Sequence, residues 1–353
     1  MRTNHSLALA ATGVALSLLG PAAVPAQTPT PVVASFSILG DMAERIGGPQ
    51  VDVVTLVGPG GDAHVYQPTP QAAQAVSDAE LFIVNGLQFE GWLDRLVDAS
   101  DFTGQRVVVT DGVEPIAFGE AADASAGHSD HGHEGHDDHS EPDHAHEGHD
   151  DHDEPDHGHD DHGHDHGHDH GASDPHAWQS VPNAITYVEN ITAALVAADP
   201  AHADRFEQRA QRYIAELEAL DERIRATIAS LPADQRTVVT SHDAFQYFAD
   251  EYGLTFFSPQ GVSTESEASA GDVAALIEAM RERNVSAVFF ENITDTRLLE
   301  RIADETGARI GGTLYPGALS GSDGPAPSYI EMMEHNAETL EQALGADHEE
   351  SQS

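Results

Sequence analysis

The chain has 353 residues, with 61 acidic and 15 basic side chains and a formal net charge of −46. A surface this acidic repels the phosphates of nucleic acids and the headgroups of anionic membranes, so we expect neither as a partner. Because the chain contains no cysteine, disulfide scaffolds, thiolate zinc sites, iron–sulfur clusters and thiol nucleophiles are excluded. Its 23 histidines are the feature that points most directly to function.

The N-terminal residues predict a secretory signal peptide over residues 1–26. Arg2 supplies positive charge, Leu7 to Leu19 form a short apolar run, and residues 24–26 offer small side chains before a cleavage point. The run is too short to favour the alternative, a membrane anchor. No cysteine is present to carry a lipid. We therefore expect a chain that is soluble after cleavage and resides in the periplasm of a bacterium with two membranes.

After the signal peptide, short apolar runs typical of buried strands alternate with segments of helical periodicity. This alternation predicts a parallel α/β sheet. Strands are predicted at residues 32–39, 51–57, 81–85, 106–110, 237–240, 254–257, 286–290 and 309–314. Helices are predicted at residues 41–46, 89–97, 182–197, 203–228, 244–252, 272–283, 296–306 and 329–344.

The predicted fold is α/β, with two similar α/β lobes joined by one long helix. A length of 353 residues itself suggests about two domains. We assign the joining helix to residues 203–230, where apolar residues recur every three or four positions. At 1.5 Å per residue it would be about 40 Å long, the length of a domain. The lobes are assigned to residues 27–200 and 235–345, and a polar tail to residues 346–353.

Sixteen of the histidines lie in an insert in the first lobe, at residues 128–170, together with 16 acidic residues. The insert has no apolar face at any period, so it is predicted to be disordered. Removing it leaves a net charge of −30 on the remaining residues. The body of the protein is therefore acidic in its own right.

Seven histidines lie outside this acidic, histidine-rich tract. His5 belongs to the signal peptide and His348 to the polar tail. His202 and His335 fall on the polar faces of predicted helices, where we expect them to be solvated.

The other three are His64, His176 and His242. His64 and His242 each follow a predicted strand, one in each lobe, and His176 precedes a predicted helix. Ligands of open α/β sheets gather beyond the carboxyl ends of the strands. Three neutral imidazoles meeting there would suit a borderline-soft divalent metal, zinc above all. The three are scattered in sequence, so three separate hydrogen-bonded histidines remain the alternative on this evidence.

Seven local sequences, in the same order along nearly the whole mature chain, resemble the substrate-binding proteins of metal-specific ABC importers, the zinc/manganese group called cluster A-I. They are VVASFSILGDMAERIGG (32–48), GGDAHVYQPTP (60–70), NGLQFEGWLD (85–94), DPHAWQSVPNA (174–184), VVTSHDAFQYFADEYGL (238–254), STESEASAGDV (263–273) and GGTLYPGALSGSDGPAPSYIEMM (311–333). The resemblance implies a binding protein and not an enzyme, a metal in the interlobe cleft, and His64, His176 and His242 as its ligands. It also implies a monomer that delivers Zn²⁺, as transported substrate, to an ABC permease and its ATPase.

Two details bear on the metal. In manganese-selective relatives the third ligand is typically Glu, so His242 at that position favours zinc. Many relatives supply an Asp as fourth ligand, but Gly317 stands at that position here. A water, Asp323 or a residue of the histidine-rich tract would then complete the site. Four further acidic residues are expected to support the ligands or lie at the surface: Asp62, Asp174, Glu265 and Glu267.

The tract itself has three interpretations. It is a solvated linker, a collector with many weak metal sites, or a docking segment for a periplasmic zinc chaperone. We favour the collector, because most imidazoles are neutral near pH 7 and able to bind metal. Ordering an unfolded segment costs free energy at each site, so these sites would be weak.

Three other functions are compatible with parts of the sequence. A manganese or nickel binder of the same family would have the same fold. A zinc-dependent hydrolytic enzyme would also use three histidines and an open fourth position, but no HExxH motif or adjacent base is evident. An extracellular adhesin would need an anchor that the sequence does not show.

Overall fold

The structure, a computed structural model, describes residues 28–117 and 173–350 of the chain. The predicted signal peptide and the histidine-rich tract at residues 128–170 lie outside the described residues. Within the described ranges, no helix is both long and apolar enough to cross a bilayer.

The N-terminal lobe is built on one parallel four-stranded sheet with the order β2-β1-β3-β4. Its strands are β1 (Thr30–Phe36), β2 (Val51–Val57), β3 (Leu81–Val84) and β4 (Gln105–Val108). Its first helices are α1 (Ser37–Gly47), α2 (Pro70–Asp78) and α3 (Leu93–Ser100). All four residues of β3 are buried, as expected of a parallel strand that is covered on both faces.

Two helices lead from this lobe to the next, α4 (Val181–Ala198) and α5 (Ala203–Ser230). The 28 residues of α5 make it about 42 Å long at 1.5 Å per residue. It packs against α1 and α4 of the first lobe and against helices of the second lobe. Its buried stripe is the one that the sequence predicts: Phe206, Ala210, Tyr213, Leu217, Leu220, Ile224 and Ile228.

The C-terminal lobe repeats the same strand order in a second parallel sheet, β6-β5-β7-β8. Its strands are β5 (Thr237–Val239), β6 (Thr255–Phe257), β7 (Ala287–Glu291) and β8 (Arg309–Leu314). Its helices are α6 (Gln246–Tyr252), α7 (Ala270–Glu282), α8 (Arg297–Thr306) and α9 (Tyr329–Glu350). The prediction of two α/β lobes joined by a long helix is confirmed.

The strand order fixes where a ligand is expected. Each sheet has a central pair of strands, β1 and β3 in one lobe and β5 and β7 in the other. The strand that follows each central strand in sequence lies on its outer side, so the two connections run in opposite directions. A crevice forms at the carboxyl ends of such a pair, and ligands of open α/β sheets bind there.

Buried hydrogen bonds join the two lobes beside this crevice. Trp178 Nε1 and Gln179 Nε2, which precede α4, donate to the Pro316 carbonyl at 2.8 and 2.7 Å. The hydroxyl of Tyr329, at the start of α9, donates to the Trp178 carbonyl at 2.6 Å. All of these side chains are fully buried. Breaking such a bond would leave a buried polar group without a partner, which costs free energy. These bonds therefore hold the lobes together.

The prediction from the sequence differs from the structure at two elements of the first lobe. It extended the first strand to Leu39, but β1 ends at Phe36 and α1 begins at Ser37. Because the first turn of this helix is itself buried, Ile38 and Leu39 continue the apolar pattern of the strand, and periodicity cannot separate the two elements. It also missed α2, although Thr69 and Pro70 form a recognisable start: Thr69 Oγ1 accepts from the backbone N–H of Ala72 at 3.2 Å.

Candidate metal centre

Three loops bring His64, His176 and His242 together between the lobes. Their ring centroids form a triangle with sides of 5.3, 5.3 and 5.7 Å. Each ring offers one nitrogen to a common centre, and these nitrogens all lie within 4.8 Å of one another. The Nε2 atoms of His64 and His176 are 3.2 Å apart. The three predicted ligands therefore share one site, which we call the histidine triad.

His64 lies seven residues beyond the end of β2 and is fixed by contacts on both sides. Its backbone N–H donates to Asp62 Oδ1 at 2.9 Å. The preceding carbonyl, that of Ala63, accepts from Trp92 Nε1 at 2.8 Å. The ring of Phe89 meets the His64 ring edge-on, 4.8 Å between centroids. These contacts leave the imidazole directed into the cleft.

His176 is oriented by Asp174. Its Nδ1–H and its backbone N–H donate to the same oxygen, Asp174 Oδ1, at 2.7 and 2.9 Å. The backbone of Asp174 is held in turn, because its N–H donates to the Ile116 carbonyl at 2.9 Å. Its carbonyl accepts from the Tyr247 hydroxyl at 3.0 Å. Because the Nδ1–H of His176 is hydrogen-bonded to a carboxylate, Nε2 keeps the lone pair with which the ring could bind a metal.

His242 is oriented by Glu291, the last residue of β7. The His242 Nδ1–H donates to Glu291 Oε2 at 2.5 Å. The other oxygen, Oε1, accepts from the backbone N–H groups of Ser241 and His242 at 2.9 and 3.1 Å. His242 follows β5, so this pair sits on the two central strands of its sheet. In the described part of the chain, His242 Nε2 is buried and has no hydrogen-bond partner, as a nitrogen reserved for a metal would be.

Glu291 is the functional residue that sequence reasoning missed. No acidic residue beside His242 was evident from the sequence, yet Glu291 touches its imidazole. Asp174, which was expected to support the ligands or lie at the surface, touches the imidazole of His176. A signal was present: an acidic residue closes the apolar run that forms β7, and that strand neighbours the one leading to His242.

Burial sets the protonation of the triad. Burial, together with the neighbouring His176 and His242, lowers the pKa of His64 to about 3. Burial likewise lowers the pKa of His176 well below its ordinary value. Burial also disfavours charge on His242, but the charge and hydrogen bond of Glu291 outweigh it and raise the His242 pKa. Two of the three imidazoles are therefore held in the neutral form, which is the form that binds metal.

The other candidates lie elsewhere. Asp323 is exposed, and the structure does not bring it to the triad. Gly317 packs against Trp178, since a Cβ placed there would lie 3.4 Å from the indole ring. His202 and His335 were expected to be solvated, but both are partly buried. Each imidazole has an acceptor close by, which explains the difference. His202 Nδ1 pairs with Asp199 Oδ2 at 2.5 Å, and His335 Nε2 donates to the Thr313 carbonyl at 3.0 Å.

A Glu291→Gln variant is expected to bind metal about 10- to 100-fold more weakly, the usual cost of losing a group that orients a histidine ligand. The amide keeps the size of the side chain but removes the charge that stabilises the Nδ1–H form of His242. Isothermal titration calorimetry of the variant against the unaltered chain measures the loss. An unchanged affinity would show that Glu291 supports only the fold.

The two linked lobes and the histidine triad in the cleft between them define a metal-binding protein of the two-lobed, substrate-capturing type. The model of the family described as "Zinc-uptake complex component A periplasmic" (ZnuA) matches residues 32–343. The chain belongs to this family.

Three comparisons show the breadth of the family. The chain is 30% identical over 314 residues to the iron-binding protein YfeA of Yersinia pestis, covering 89% of this chain and 86% of that protein. It is 31% identical over 314 residues to the manganese-binding lipoprotein MntA of Halalkalibacterium halodurans, covering 89% and 88%. The solved periplasmic zinc-binding protein TroA of Treponema pallidum has 26% identity and a TM-score of 0.72, with 89% and 99% covered.

These findings establish the general function. The protein is a metal-binding substrate-binding protein of an ABC transporter, and its relatives are described as periplasmic proteins or as lipoproteins. Such proteins bind and hand over their ligand to a permease and its ATPase, and are not enzymes.

Proposed function

We propose that this protein captures Zn²⁺ in the interlobe cleft, with the Nε2 atoms of His64, His176 and His242 as ligands. The observation that carries the proposal is the composition of the triad. Of the described residues, the group able to hold a metal consists of three histidines, while the nearby carboxylates of Asp174 and Glu291 are engaged with ring Nδ1 atoms.

The donor set favours zinc over manganese. Imidazole suits zinc, iron and nickel, whereas carboxylate and carbonyl oxygens suit manganese. Relatives are named for iron, manganese and zinc, so kinship alone does not choose among these metals. Zinc also accepts four tetrahedral ligands, of which three come from the triad. We propose that a water or a residue of the histidine-rich tract supplies the fourth.

Competition between metals tests this choice. The full chain, freed of metal by a chelator, is titrated with Zn²⁺, Mn²⁺, Fe²⁺ and Ni²⁺ under anaerobic conditions, and each bound metal is then challenged with the others. We expect Zn²⁺ to displace Mn²⁺ at equal concentrations. Retention of Mn²⁺ against equimolar Zn²⁺ would overturn the zinc assignment while leaving the family assignment intact.

We propose further that the histidine-rich tract gathers metal at several weak sites. Deleting residues 128–170 is then expected to reduce the zinc stoichiometry to one, bound at the histidine triad. The loop should close after deletion, since Ala117 and Ser173 already pair as an antiparallel bridge. Calorimetry on both chains decides, and an unchanged stoichiometry would contradict the collector role.

Two further parts of the proposal concern partners. The protein acts as a monomer and delivers its metal to the importing permease; docking of a periplasmic zinc chaperone on the tract is compatible with the collector role. Sedimentation of the zinc-loaded protein tests the first part, with a dimer as the contradicting result.

A further inference from the structure

Access to the histidine triad is uneven. His64 is 7% exposed, whereas His176 and His242 are 1% and 0% exposed. His64 lines a cavity of about 310 Å³ beside the cleft, and neither of the other two histidines lines it. A cation from solvent therefore meets His64 first.

This cavity opens between the lobes, and we call its rim the mouth. The N-terminal lobe contributes Leu87, Phe89 and Pro175, and the C-terminal lobe contributes Val262, Ser263 and Glu265. The second group belongs to the loop between β6 and α7. Movement of this loop away from the segment around His64 would widen the mouth.

One hydrogen bond ties these two segments together. The Thr264 hydroxyl donates to Asp62 Oδ2 at 2.6 Å, from one lobe to the other. The second oxygen of the same carboxylate accepts from the backbone N–H of His64 at 2.9 Å. A carboxylate acceptor makes the bond stronger than a neutral one. Asp62 thus connects the loop of the opposite lobe to the most accessible histidine.

Whole-lobe opening is a more costly route. It would break the buried bonds of Trp178, Gln179 and Tyr329 described above, and also the bond from the Gly60 N–H to the Leu319 carbonyl at 2.8 Å. Thr264 is only partly buried, so water replaces its partner when the bond breaks. Local movement of the loop between β6 and α7 therefore costs less than rotation of the lobes.

We infer that the Asp62–Thr264 hydrogen bond is a clasp across the mouth, and that it controls how fast metal enters and leaves the cleft. The inference rests on the proposed function, because it takes the histidine triad to be the metal site. Thr264 acts here as a positioning residue that never touches the metal. Breaking the clasp should raise the rates of binding and release by the same factor, since both pass through the same opening.

A Thr264→Val variant tests the clasp, because valine keeps the shape and removes the hydroxyl. The full chain carrying one equivalent of Zn²⁺ is mixed with excess chelator in a stopped-flow instrument, and the reverse reaction is followed by tryptophan fluorescence. We expect both rate constants to rise about tenfold, which corresponds to about 1.4 kcal/mol, while the Kd stays nearly unchanged. Thr264→Ser, which restores a hydroxyl, should return both rates towards those of the unaltered chain.

Thr296→Val is the matched control. Its hydroxyl also donates to a carboxylate, Glu300 Oε1 at 3.0 Å, but within one exposed helix start, so its rates should not change. A rise in the release rate alone, with a matching rise in Kd, would overturn the clasp and leave Asp62 as a brace for His64. Unchanged rates in Thr264→Val would overturn it as well. If the unaltered chain and His242→Ala bound zinc equally well, the proposed function would fail instead.

Discussion

A His242→Ala variant is expected to lose most of the zinc affinity of the cleft, by more than the about 10- to 100-fold loss expected when only an orienting group is removed. We propose His242 as one of three ligands, and its Nε2 is buried without another partner among the described residues. The variant also leaves Glu291 buried without its imidazole partner, at 2% exposure. The loss is measured by competition with a chromophoric chelator.

The structure offers a matched control for this experiment. His335 is also partly buried and hydrogen-bonded, to the Thr313 carbonyl, but it lies outside the triad. His335→Ala should therefore keep the zinc affinity of the unaltered chain. If His335→Ala and His242→Ala lowered the affinity equally, the effect would report a general disturbance of the fold and not a lost ligand.

The second large effect is expected on stability. Trp178 is 0% exposed and its ring packs against Phe36, Phe89 and His176 with centroid distances of 5.0, 4.8 and 5.2 Å. A Trp178→Ala change should lower the free energy of unfolding by about 3–5 kcal/mol, the range for large aromatic residues in cores. Urea titration of the metal-free protein, followed by circular dichroism, measures this loss.

Trp178→Phe separates packing from hydrogen bonding. Phenylalanine keeps an aromatic ring in the wall of the cleft but cannot donate to the Pro316 carbonyl, which Trp178 Nε1 reaches at 2.8 Å. We expect a smaller loss of about 0.5–1.5 kcal/mol, the net contribution of one hydrogen bond, since Gln179 Nε2 still donates to the same carbonyl at 2.7 Å. A loss as large as that of Trp178→Ala would show that the bond between the lobes, and not ring packing, dominates at this position.

Much of the fold was predictable because each element carries its own pattern. The stripe along α5 repeats at a helical period, and β2 and β8 have the bounds that the sequence predicts. The start of α1 was not predictable in the same way. Ser37, Ile38 and Leu39 are buried in the helix, and a short buried segment shows the same apolar pattern in a helix as in a strand.

The site was predictable in part. Position after a strand indicated His64 and His242, and family resemblance added His176. What sequence could not supply is the partner of each imidazole. Glu291 lies 49 residues from His242, and only the pairing of β5 with β7 brings them together. Long-range pairs of this kind are set by strand order, which local patterns do not encode.

The same limit applies to the mouth of the cleft. Asp62 and Thr264 are 202 residues apart and belong to different lobes. Each side chain alone is typical of a polar loop. Their contact follows from the way the two sheets face each other, with the carboxyl ends of both central strand pairs lining one crevice.

The central claim is that the histidine triad is the tight metal site. The most direct measurement is X-ray absorption at the zinc edge on protein carrying one equivalent of Zn²⁺, compared with His242→Ala. We predict at least three imidazole nitrogens at about 2.0–2.1 Å around zinc in the unaltered chain, and fewer imidazole ligands in the variant. An identical imidazole count in both proteins would contradict it, since the tight zinc would then lie outside the cleft.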